Sequence, residues 1–344
     1  MGGTPQDLAQ DVLAPPARAA IFMTLTVRDG HEDATRDALA GVSGLVRAVG
    51  FRTPELGLSC VVGVGAGLWD RMYAEPRPPG LHPFARVAGA RHTAVSTPGD
   101  VLLHIRAARP DACFELAHLL MRELGSHTDV ADEVHAFRYW DNRDLLGFVD
   151  GTENPTPQPA AVAAALVDDG TRWTGSSYVI VQKYLHDITA WDALPVEAQE
   201  RAIGRTKLSD VELPDDVKPS NSHVALNVIE DEDGNELQIV RANLPFGRVG
   251  DAEFGTYFIG YASDPAVTER MLRNMFVGVP AGNHDRILDF STAVTGCLFF
   301  VPPWAFLDDP GAFAPRSAPA DAPAPPPPAD GSLGIGNLGR SSPP

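Results

Sequence analysis

An acidic residue sits in a glycine-flanked loop at residues 147–155, which read Gly-Phe-Val-Asp-Gly-Thr-Glu-Asn-Pro. Gly151, directly after Asp150, permits a positive φ and the close approach of another group, while Pro155 holds Asn154 in an extended conformation. Such a loop presents a carboxylate to a cavity more readily than it packs a core. The alternative is an ordinary Asp-Gly turn, in which the side chain bonds only the neighbouring backbone.

A second polar pair ends an otherwise apolar row in the segment 237–243. In a strand, alternate side chains share a face, so Arg241 and Asn243 fall on the same face as Ile239. Burying a guanidinium without an anionic partner is costly. Arg241 is therefore expected either to form a salt bridge with a nearby carboxylate or to line a polar ligand pocket. A hairpin turn at 233–234 would place it opposite Leu226, on a strand over residues 224–230.

Three motifs together resemble the dye-decolorizing peroxidases, a family of haem peroxidases. They are the loop 147–155, the Asn-Ser-His run at 221–223 and the Val-Arg-Ala-Asn run at 240–243. The resemblance covers about residues 20–305. Because the chain is compact and its first residues carry neither a Sec nor a twin-arginine signal, it is most similar to the bacterial B-type branch.

The resemblance implies one non-covalent haem b per subunit, with His223 as the axial ligand of the iron. It places Asp150 and Arg241 on the opposite side of the haem, accompanied by Asn243. The chain has neither a CxxCH attachment site nor a cysteinate-ligand pattern, which agrees with a single histidine ligand. From its type alone, His223 could equally be an ordinary hydrogen-bonded polar residue.

These residue types suit the cleavage of hydrogen peroxide. A carboxylate at position 150 can carry a proton from one peroxide oxygen to the other, and Asn243 could anchor a water there. A fixed guanidinium at position 241 stabilises the negative charge that develops as the O–O bond opens. Arg241 is also expected to lower the pKa of Asp150 and keep it ionised.

Further residues are predicted to support the haem. Asp289, with Asp285 behind it, is the expected acceptor for the second N–H of His223, although Asp289 could also be a helix-surface residue. Arg205 resembles a partner of the haem propionates, the alternative being a basic helix end. Three aromatic residues are possible radical relays unless they simply belong to the core: Tyr139, Trp140 and Trp191.

The elements that must position these residues follow from the hydrophobic pattern. The first half predicts strands at 21–27, 58–64, 101–107 and 134–140, with helices from about 33 to 49 and from 111 to 125. The second half predicts strands at 177–185, 224–230, 237–243, 257–262 and 297–301, with helices at 196–204 and 265–276. This order predicts an α+β fold of two ferredoxin-like βαββαβ domains, of the dimeric α/β barrel type, with haem in the second.

Composition predicts the remaining organisation. Residues 1–17 read as a flexible leader, 18–155 as the first ferredoxin-like domain and 156–309 as the haem-binding domain. Residues 310–329 are rich in Ala and Pro and predict a disordered linker, followed by a tail at 330–344.

Charge and cysteine content exclude several classes of partner. The net charge is −18, which disfavours nucleic acid and anionic membranes. The three cysteines are far apart and form no CxxC, so a disulfide framework is not indicated and a reducing cytoplasm fits best. No segment has the length and hydropathy of a membrane span.

The tail 330–340, Asp-Gly-Ser-Leu-Gly-Ile-Gly-Asn-Leu-Gly-Arg, resembles the peptide that loads such peroxidases into encapsulin shells. Its aliphatic side chains could bind a groove of the shell protein. The resemblance implies a cytoplasmic peroxidase inside an encapsulin nanocompartment, a homo-oligomer with a hexamer favoured, that uses H2O2 to oxidise dyes, phenols or Mn(II). Two rival hypotheses are a haem-binding or iron-releasing protein similar to deferrochelatase and a shell-associated module with a vestigial haem site.

Overall fold

The first half of the chain alternates strands with helices. The computed structural model describes residues 3–313. In chain order its first elements are α1 (Pro5–Leu8), β1 (Ala19–Val27), α2 (Glu32–Ala40), α3 (Val42–Gly50), β2 (Ser59–Gly65), α4 (Ala66–Met72), β3 (Val87–Ala88), β4 (Thr93–Ala94), β5 (Val101–Ala107), α5 (Pro110–Leu124) and β6 (Thr128–Phe137). The principal strands and helices confirm the predicted order β-α-β-β-α-β.

The second half repeats this order with more interruptions. Its elements are α6 (Gln158–Ala165), β7 (Ser177–His186), α7 (Ile188–Asp192), α8 (Val196–Ile203), α9 (His223–Asn227), β8 (Ile229–Glu230), β9 (Glu236–Leu237), β10 (Val240–Arg241), β11 (Leu244–Arg248), β12 (Glu253–Ala262), α10 (Pro265–Val277), β13 (Ser291–Ala293), β14 (Cys297–Val301) and α11 (Trp304–Asp308). Short 3-10 helices cover residues 11–13, 54–56, 140–142, 249–251, 286–289 and 310–313. The architecture is a mixed α+β fold.

One antiparallel sheet of ten strands runs through both halves. Its principal order is β10-β12-β7-β14-β2-β5-β1-β6, with β11 added beside β12 and β13 beside β7. The halves join where β14 pairs with β2, at Phe300 opposite Val64. A Cβ atom at Gly63 would lie 2.8 Å from the Cβ of Phe299, so this close approach of the two strands requires glycine.

The sheet folds over on itself. Strands β5 and β12 are separated by three other strands, yet His104 on β5 and Tyr261 on β12 are hydrogen-bonded at 2.7 Å. The two sheet faces enclose an apolar cluster that includes Phe22, Tyr257 and Phe299. A second cluster covers the other face beneath the helices, which is why β5 is buried at every position.

The expectation of a flexible leader is wrong for the segment that precedes β1. Gln10 is 2 % exposed and donates through Nε2 to the carbonyls of Val62 and Pro302, at 2.9 and 2.8 Å. Val12 is also buried, in the enclosed cluster. This segment packs because the amide of Gln10 satisfies backbone groups at the junction of the two halves. The division of the chain at residue 155 stays a prediction.

Two predicted strands of the second half are largely wrong. Residues 223–227 form helix α9, begun by Ser222, whose hydroxyl accepts a hydrogen bond from the Ala225 N–H. The hairpin that follows pairs only Ile229 with Leu237 and Glu230 with Glu236. Arg241 therefore lies opposite Gly260 of β12 rather than opposite Leu226.

No helix within residues 3–313 combines the length and the hydropathy that a membrane crossing requires. The predicted tail and nearly all of the predicted linker, residues 314–344, lie outside the described residues.

Candidate functional site

A deep cavity lies on the outer face of the second half of the sheet. Alternate side chains of β7 and β12 form its floor: Tyr184, His186, Thr256 and Phe258. The loop 147–155, α9 and α10 form its walls. The cavity holds about 1350 Å³ of empty space, counting the part that opens to solvent, and its lining is mostly apolar.

Asp150 lies on one wall of this cavity, at the position expected from its loop. Its backbone N–H donates to the carbonyl of Asn142 at 2.8 Å, and Gly151 adopts a φ of +82°. Asn243 donates through Nδ2 to Asp150 Oδ1 at 3.2 Å, and its own Oδ1 accepts from the Ile259 N–H. Asn243 therefore links the carboxyl of Asp150 to strand β12.

Arg241 lines the same wall with its side chain set back from the opening. Among residues 3–313, no carboxylate lies within 4.0 Å of its guanidinium, whose one hydrogen-bond contact is Met271 Sδ at 3.7 Å. The alternative of a salt bridge is therefore wrong within the described residues, and Arg241 lines the cavity. Burial lowers the pKa of Arg241, but a guanidinium still carries its charge at every physiological pH.

Arg241 lowers the pKa of Asp150 as expected, but it does not set the net direction of the shift. Burial raises the pKa of Asp150, and this effect outweighs the lowering caused by Arg241 and by the hydrogen bond from Asn243. The physical reason is that the cavity removes the carboxylate from water while Arg241 remains beyond salt-bridge distance. A proton is therefore retained on Asp150 to a higher pH than on an ordinary aspartate.

His223 lines the cavity from the first turn of α9. Its Nδ1 lies 2.7 Å from Oδ2 of Asp285, a carboxylate that is fully buried. Burial lowers the pKa of His223, but Asp285 raises it more, and the net direction is upward. Within the described residues Nε2 has no hydrogen-bond partner, so this nitrogen is available to a ligand in the cavity.

The predicted acceptor for His223 is wrong: Asp285 holds the imidazole and Asp289 does not. Asp289 Oδ1 lies 3.1 Å from His92 Nε2 and 3.0 Å from His284 Nε2. Asp285 caps the start of the 3-10 helix 286–289 and Asp289 is its last residue. A separation of four residues exceeds one turn of a 3-10 helix, so the two carboxylates point in different directions.

Arg205 lies on the rim of the cavity, directly after α8. Its Nη1 is 2.6 Å from Glu153 Oε1 and its Nε is 2.9 Å from Asp210 Oδ1. The guanidinium therefore pairs with protein carboxylates at the mouth of the cavity, and its role toward haem propionates stays a prediction.

Two further residues of the site carry no clear sequence signal. The side chain of Asn154 both donates to and accepts from the backbone of Arg241. Asp144 lines the cavity and accepts from the Phe148 N–H; burial and the nearby Asp150 raise the pKa of its carboxyl to about 7. For Asn154, the sequence predicted only an extended conformation, because Pro155 follows it.

The predicted radical relays occupy different surroundings. Trp191 is fully buried and donates through Nε1 to the Leu146 carbonyl at 2.9 Å. Trp140 is 76 % exposed and Tyr139 is exposed beside it. Trp191 thus belongs to the core beside the cavity, whereas the other two meet solvent.

The residues present fit a flat apolar group bound through a metal. His223 offers an uncommitted imidazole nitrogen held by a carboxylate, as metal-ligating histidines usually are. Asp150, Arg241 and Asn243 line another wall of the same cavity, and apolar side chains such as Ile239 lie between. This arrangement agrees with a haem ligated by His223.

Two family models together match most of the chain. Residues 9–138 match the Dyp-type peroxidase, N-terminal, family, and residues 141–306 match the Dyp-type peroxidase, C-terminal, family. A dye-decolorizing peroxidase of Rhodococcus erythropolis is 56% identical over 335 residues, covering 97% of this chain and 98% of that protein. One from Mycobacterium tuberculosis is 57% identical over 329 residues, covering 96% of each.

Solved structures show the same likeness. The encapsulated DyP-type peroxidase of Mycobacterium smegmatis is 58% identical with a TM-score of 0.86, covering 89% of this chain and 99% of that chain. A variant of DypB from Rhodococcus jostii in complex with haem is 57% identical with a TM-score of 0.85, covering 88% and 98%. A deferrochelatase of Escherichia coli is 28% identical over 62% of this chain and 59% of its own length. The cavity, the motifs and these similarities lead to one conclusion: this chain belongs to the Dyp-type peroxidase family.

Proposed function

We propose that this chain is a haem b peroxidase that reduces H2O2 and oxidises bulky dyes, phenols or Mn(II) by one-electron steps. The observation that carries the proposal is that Arg241, which has no carboxylate partner among residues 3–313, lines one cavity together with Nε2 of His223. Bound haem would supply a redox-active iron that takes oxidising equivalents from peroxide and passes them on as single electrons.

His223 would hold the haem through Nε2. Because the Asp285 carboxylate accepts a hydrogen bond from Nδ1–H at 2.7 Å, the neutral imidazole is held in the tautomer that leaves Nε2 unprotonated. The negative charge of Asp285 also makes the ring a stronger electron donor. Asn227, which donates to the His223 carbonyl at 2.8 Å, further secures the start of α9.

Asp150 and Arg241 would have different roles in peroxide cleavage, proton transfer and charge stabilisation. In its ionised form, Asp150 accepts a proton from the entering peroxide and returns it to the departing oxygen. The Arg241 guanidinium stabilises the negative charge on that departing oxygen without any rearrangement of solvent. Asn243 keeps the carboxyl oriented, since its amide binds Asp150 on one side and β12 on the other.

Stopped-flow absorption spectroscopy with Arg241→Ala tests the proposal. The haem-loaded wild type should show a rapid change of the Soret band on mixing with H2O2, and the variant should slow it by about 100- to 1000-fold, as for removal of a charge-stabilising group. Arg248→Ala, an exposed arginine of β11, is the matched control and should react as the wild type. A Soret band that peroxide leaves unchanged in the wild type would favour the deferrochelatase-like alternative instead.

We also propose that the chain is cargo of an encapsulin shell in the cytoplasm, bound through residues 330–340. The tail motif supports this, as does the likeness to an encapsulated peroxidase. Removal of 330–344 should abolish co-purification with a co-expressed shell protein, whereas removal of 341–344 alone should not. Loading that survives the longer deletion would contradict the role of the tail.

The proposed assembly is a homo-oligomer, with a hexamer favoured by the family resemblance. Native mass spectrometry of the haem-loaded protein would measure it directly. A monomer at micromolar concentration would contradict this part of the proposal.

A further inference from the structure

Tyr261 and His104 form a hydrogen-bonded pair in the middle of the molecule. Both side chains are 0 % exposed, and Tyr261 Oη lies 2.7 Å from His104 Nδ1. The pair lies inside the folded sheet, on the face of β12 opposite to the cavity. It therefore takes no part in the site described above.

The surroundings keep this imidazole neutral. Burial, and secondarily the nearby Arg106, lower the pKa of His104 well below the ordinary range. Nε2 of His104 is buried without a hydrogen-bond partner among the described residues. When the proton of the neutral ring is on Nε2, Nδ1 accepts a hydrogen bond from the Tyr261 hydroxyl. An unprotonated ring nitrogen is then in direct contact with the phenol and can act as its base.

The other tyrosines lack such a base. Tyr257 lies four residues before Tyr261, on the same face of β12, and forms a hydrogen bond with the side chain of Thr24. Tyr184 donates to the amide oxygen of Gln182, Tyr178 accepts from a backbone N–H, and no partner binds the buried hydroxyl of Tyr73 within residues 3–313. Tyr139 is exposed and can lose its proton to solvent.

A base beside a phenol matters because an oxidised tyrosine becomes a strong acid. Loss of an electron from a buried tyrosine is strongly opposed unless its proton leaves at the same time, since a charged ring in an apolar interior is costly. An amide or hydroxyl oxygen cannot take up that proton at a reasonable cost, whereas an imidazole can.

Tyr261 also lies on the strand that pairs with the strand of Arg241. In the β10–β12 ladder, Val240 pairs with Tyr261 and Arg241 pairs with Gly260. The backbone of Tyr261 is thus one residue from the partner of Arg241. The strand of the interior pair is therefore hydrogen-bonded to the strand that carries Arg241 at the cavity wall.

We propose that Tyr261 is a redox-active tyrosine that works with His104 as its proton acceptor; this inference rests on the proposed function. With peroxide-oxidised haem as the acceptor of one electron, Tyr261 would lose its hydroxyl proton: the O–H bond would break and an N–H bond would form at His104 Nδ1. The products on the protein would be a neutral tyrosyl radical at Tyr261 and an imidazolium at His104. When a donor returns an electron to Tyr261, the proton moves back.

The position of Arg106 makes this exchange readily reversible. The imidazolium formed at His104 is buried and near another cation, so the proton is held weakly. The pair would therefore store an oxidising equivalent briefly rather than trap it. His104 acts through Tyr261 and is a positioning and proton-accepting residue.

Rapid-freeze electron paramagnetic resonance tests the inference on the haem-loaded full chain mixed with H2O2. The wild type should show a tyrosyl radical, Tyr261→Phe should lose it, and Tyr257→Phe should keep it. His104→Asn should slow radical formation by about 100-fold or more, because the amide cannot act as the base. The Soret response, recorded on the same samples, should remain in all four proteins.

Several outcomes would overturn the inference. A Soret response without a tyrosyl radical in the wild type would do so while leaving the proposed function intact, and so would a radical lost in Tyr139→Phe but kept in Tyr261→Phe. An absent Soret response would overturn both. Should His104→Asn fail to fold, the comparison of Tyr261→Phe with Tyr257→Phe decides alone.

Discussion

The side chain of Asn154 binds both backbone polar groups of Arg241. Nδ2 donates to the Arg241 carbonyl at 2.9 Å, and Oδ1 accepts from the Arg241 N–H at 2.8 Å. The amide thus takes the place of a neighbouring strand beside β10, and it joins the loop of Asp150 to the strand of Arg241. This side chain therefore helps to fix the relative position of the two proposed catalytic residues, together with Asn243.

Replacing Asn154 with alanine should therefore misplace Arg241 relative to Asp150. We expect the rate constant for reaction with peroxide to fall about 10- to 100-fold, since small displacements of catalytic groups have effects of this size. The free energy of unfolding should fall by about 1–3 kcal/mol for two lost hydrogen bonds. Stopped-flow kinetics and urea unfolding measure the two effects. Asn235→Ala removes only an exposed hydrogen bond to Asp231 in the β8–β9 turn and should leave the rate constant unchanged.

Asp285→Asn should weaken the proposed haem ligand. The amide oxygen can still accept from His223 Nδ1–H, but the negative charge is lost, so the imidazole becomes a poorer donor. We expect a more positive reduction potential of the haem and a loss of peroxide reactivity of about 10- to 100-fold. Spectroelectrochemistry measures the first effect. Asp289→Asn is the matched control; an equal shift of potential in that variant would contradict the assignment of Asp285.

The reaction with peroxide should depend on the ionisation of Asp150. Burial raises the pKa of Asp150 above its ordinary value of 3.8, and only the ionised form can accept a proton from peroxide. The rate should therefore increase with pH, and its midpoint should lie above 3.8. Asp150→Asn should react slowly and without this dependence. A wild-type rate that stays flat between about pH 4 and pH 8 would contradict Asp150 as the base.

Asp144 should make the fold less stable at high pH. Burial raises the pKa of Asp144 from 3.8 to about 7, so between these values the folded chain binds more protons than the unfolded chain. The free energy of unfolding therefore falls as pH rises from about 4 to about 7. Asp144→Asn removes this loss, so its gain in melting temperature over the wild type should grow across that range.

Asp289→Asn should have the opposite effect on the free energy of unfolding. Burial raises the pKa of Asp289, but hydrogen bonds from His284 and His92 lower it more. Its ionised form therefore stabilises the fold at pH values above 3.8, and the stabilisation is lost on acidification through the lowered pKa. This variant should be less stable than the wild type at neutral pH. A gain for Asp144→Asn that is the same at pH 5 and pH 8 would contradict a raised pKa for Asp144.

Local patterns in the sequence determined much of the fold. Strand β5 matches its predicted bounds of 101–107, and α10 begins at Pro265 with Asp264 as its cap, accepting from the Ala266 N–H. The family resemblance of the motifs also predicted that Asp150, Arg241 and Asn243 would share one site, and all three line the cavity. These features can be predicted from the sequence because they depend on residues that are close together along the chain.

The tertiary structure decided the contacts between distant segments. The apolar residues after His223 favoured a strand, but the Ser222 cap and the contact of α9 with α10 stabilise a helix instead. Whether Asp285 or Asp289 would hold His223 depended on the direction of each carboxylate around one 3-10 helix. The sign of the pKa shift of Asp150 depended on its distance from Arg241 and on its burial.

The sequence by itself therefore determined the family, the order of the elements and the residues that could do chemistry. Only the folding of the sheet over on itself decided which of them meet, such as His104 with Tyr261 from strands that are not neighbours. The physical reason is that local patterns set backbone conformation and burial, whereas a hydrogen bond or a pKa depends on distances between groups that only the packed chain defines.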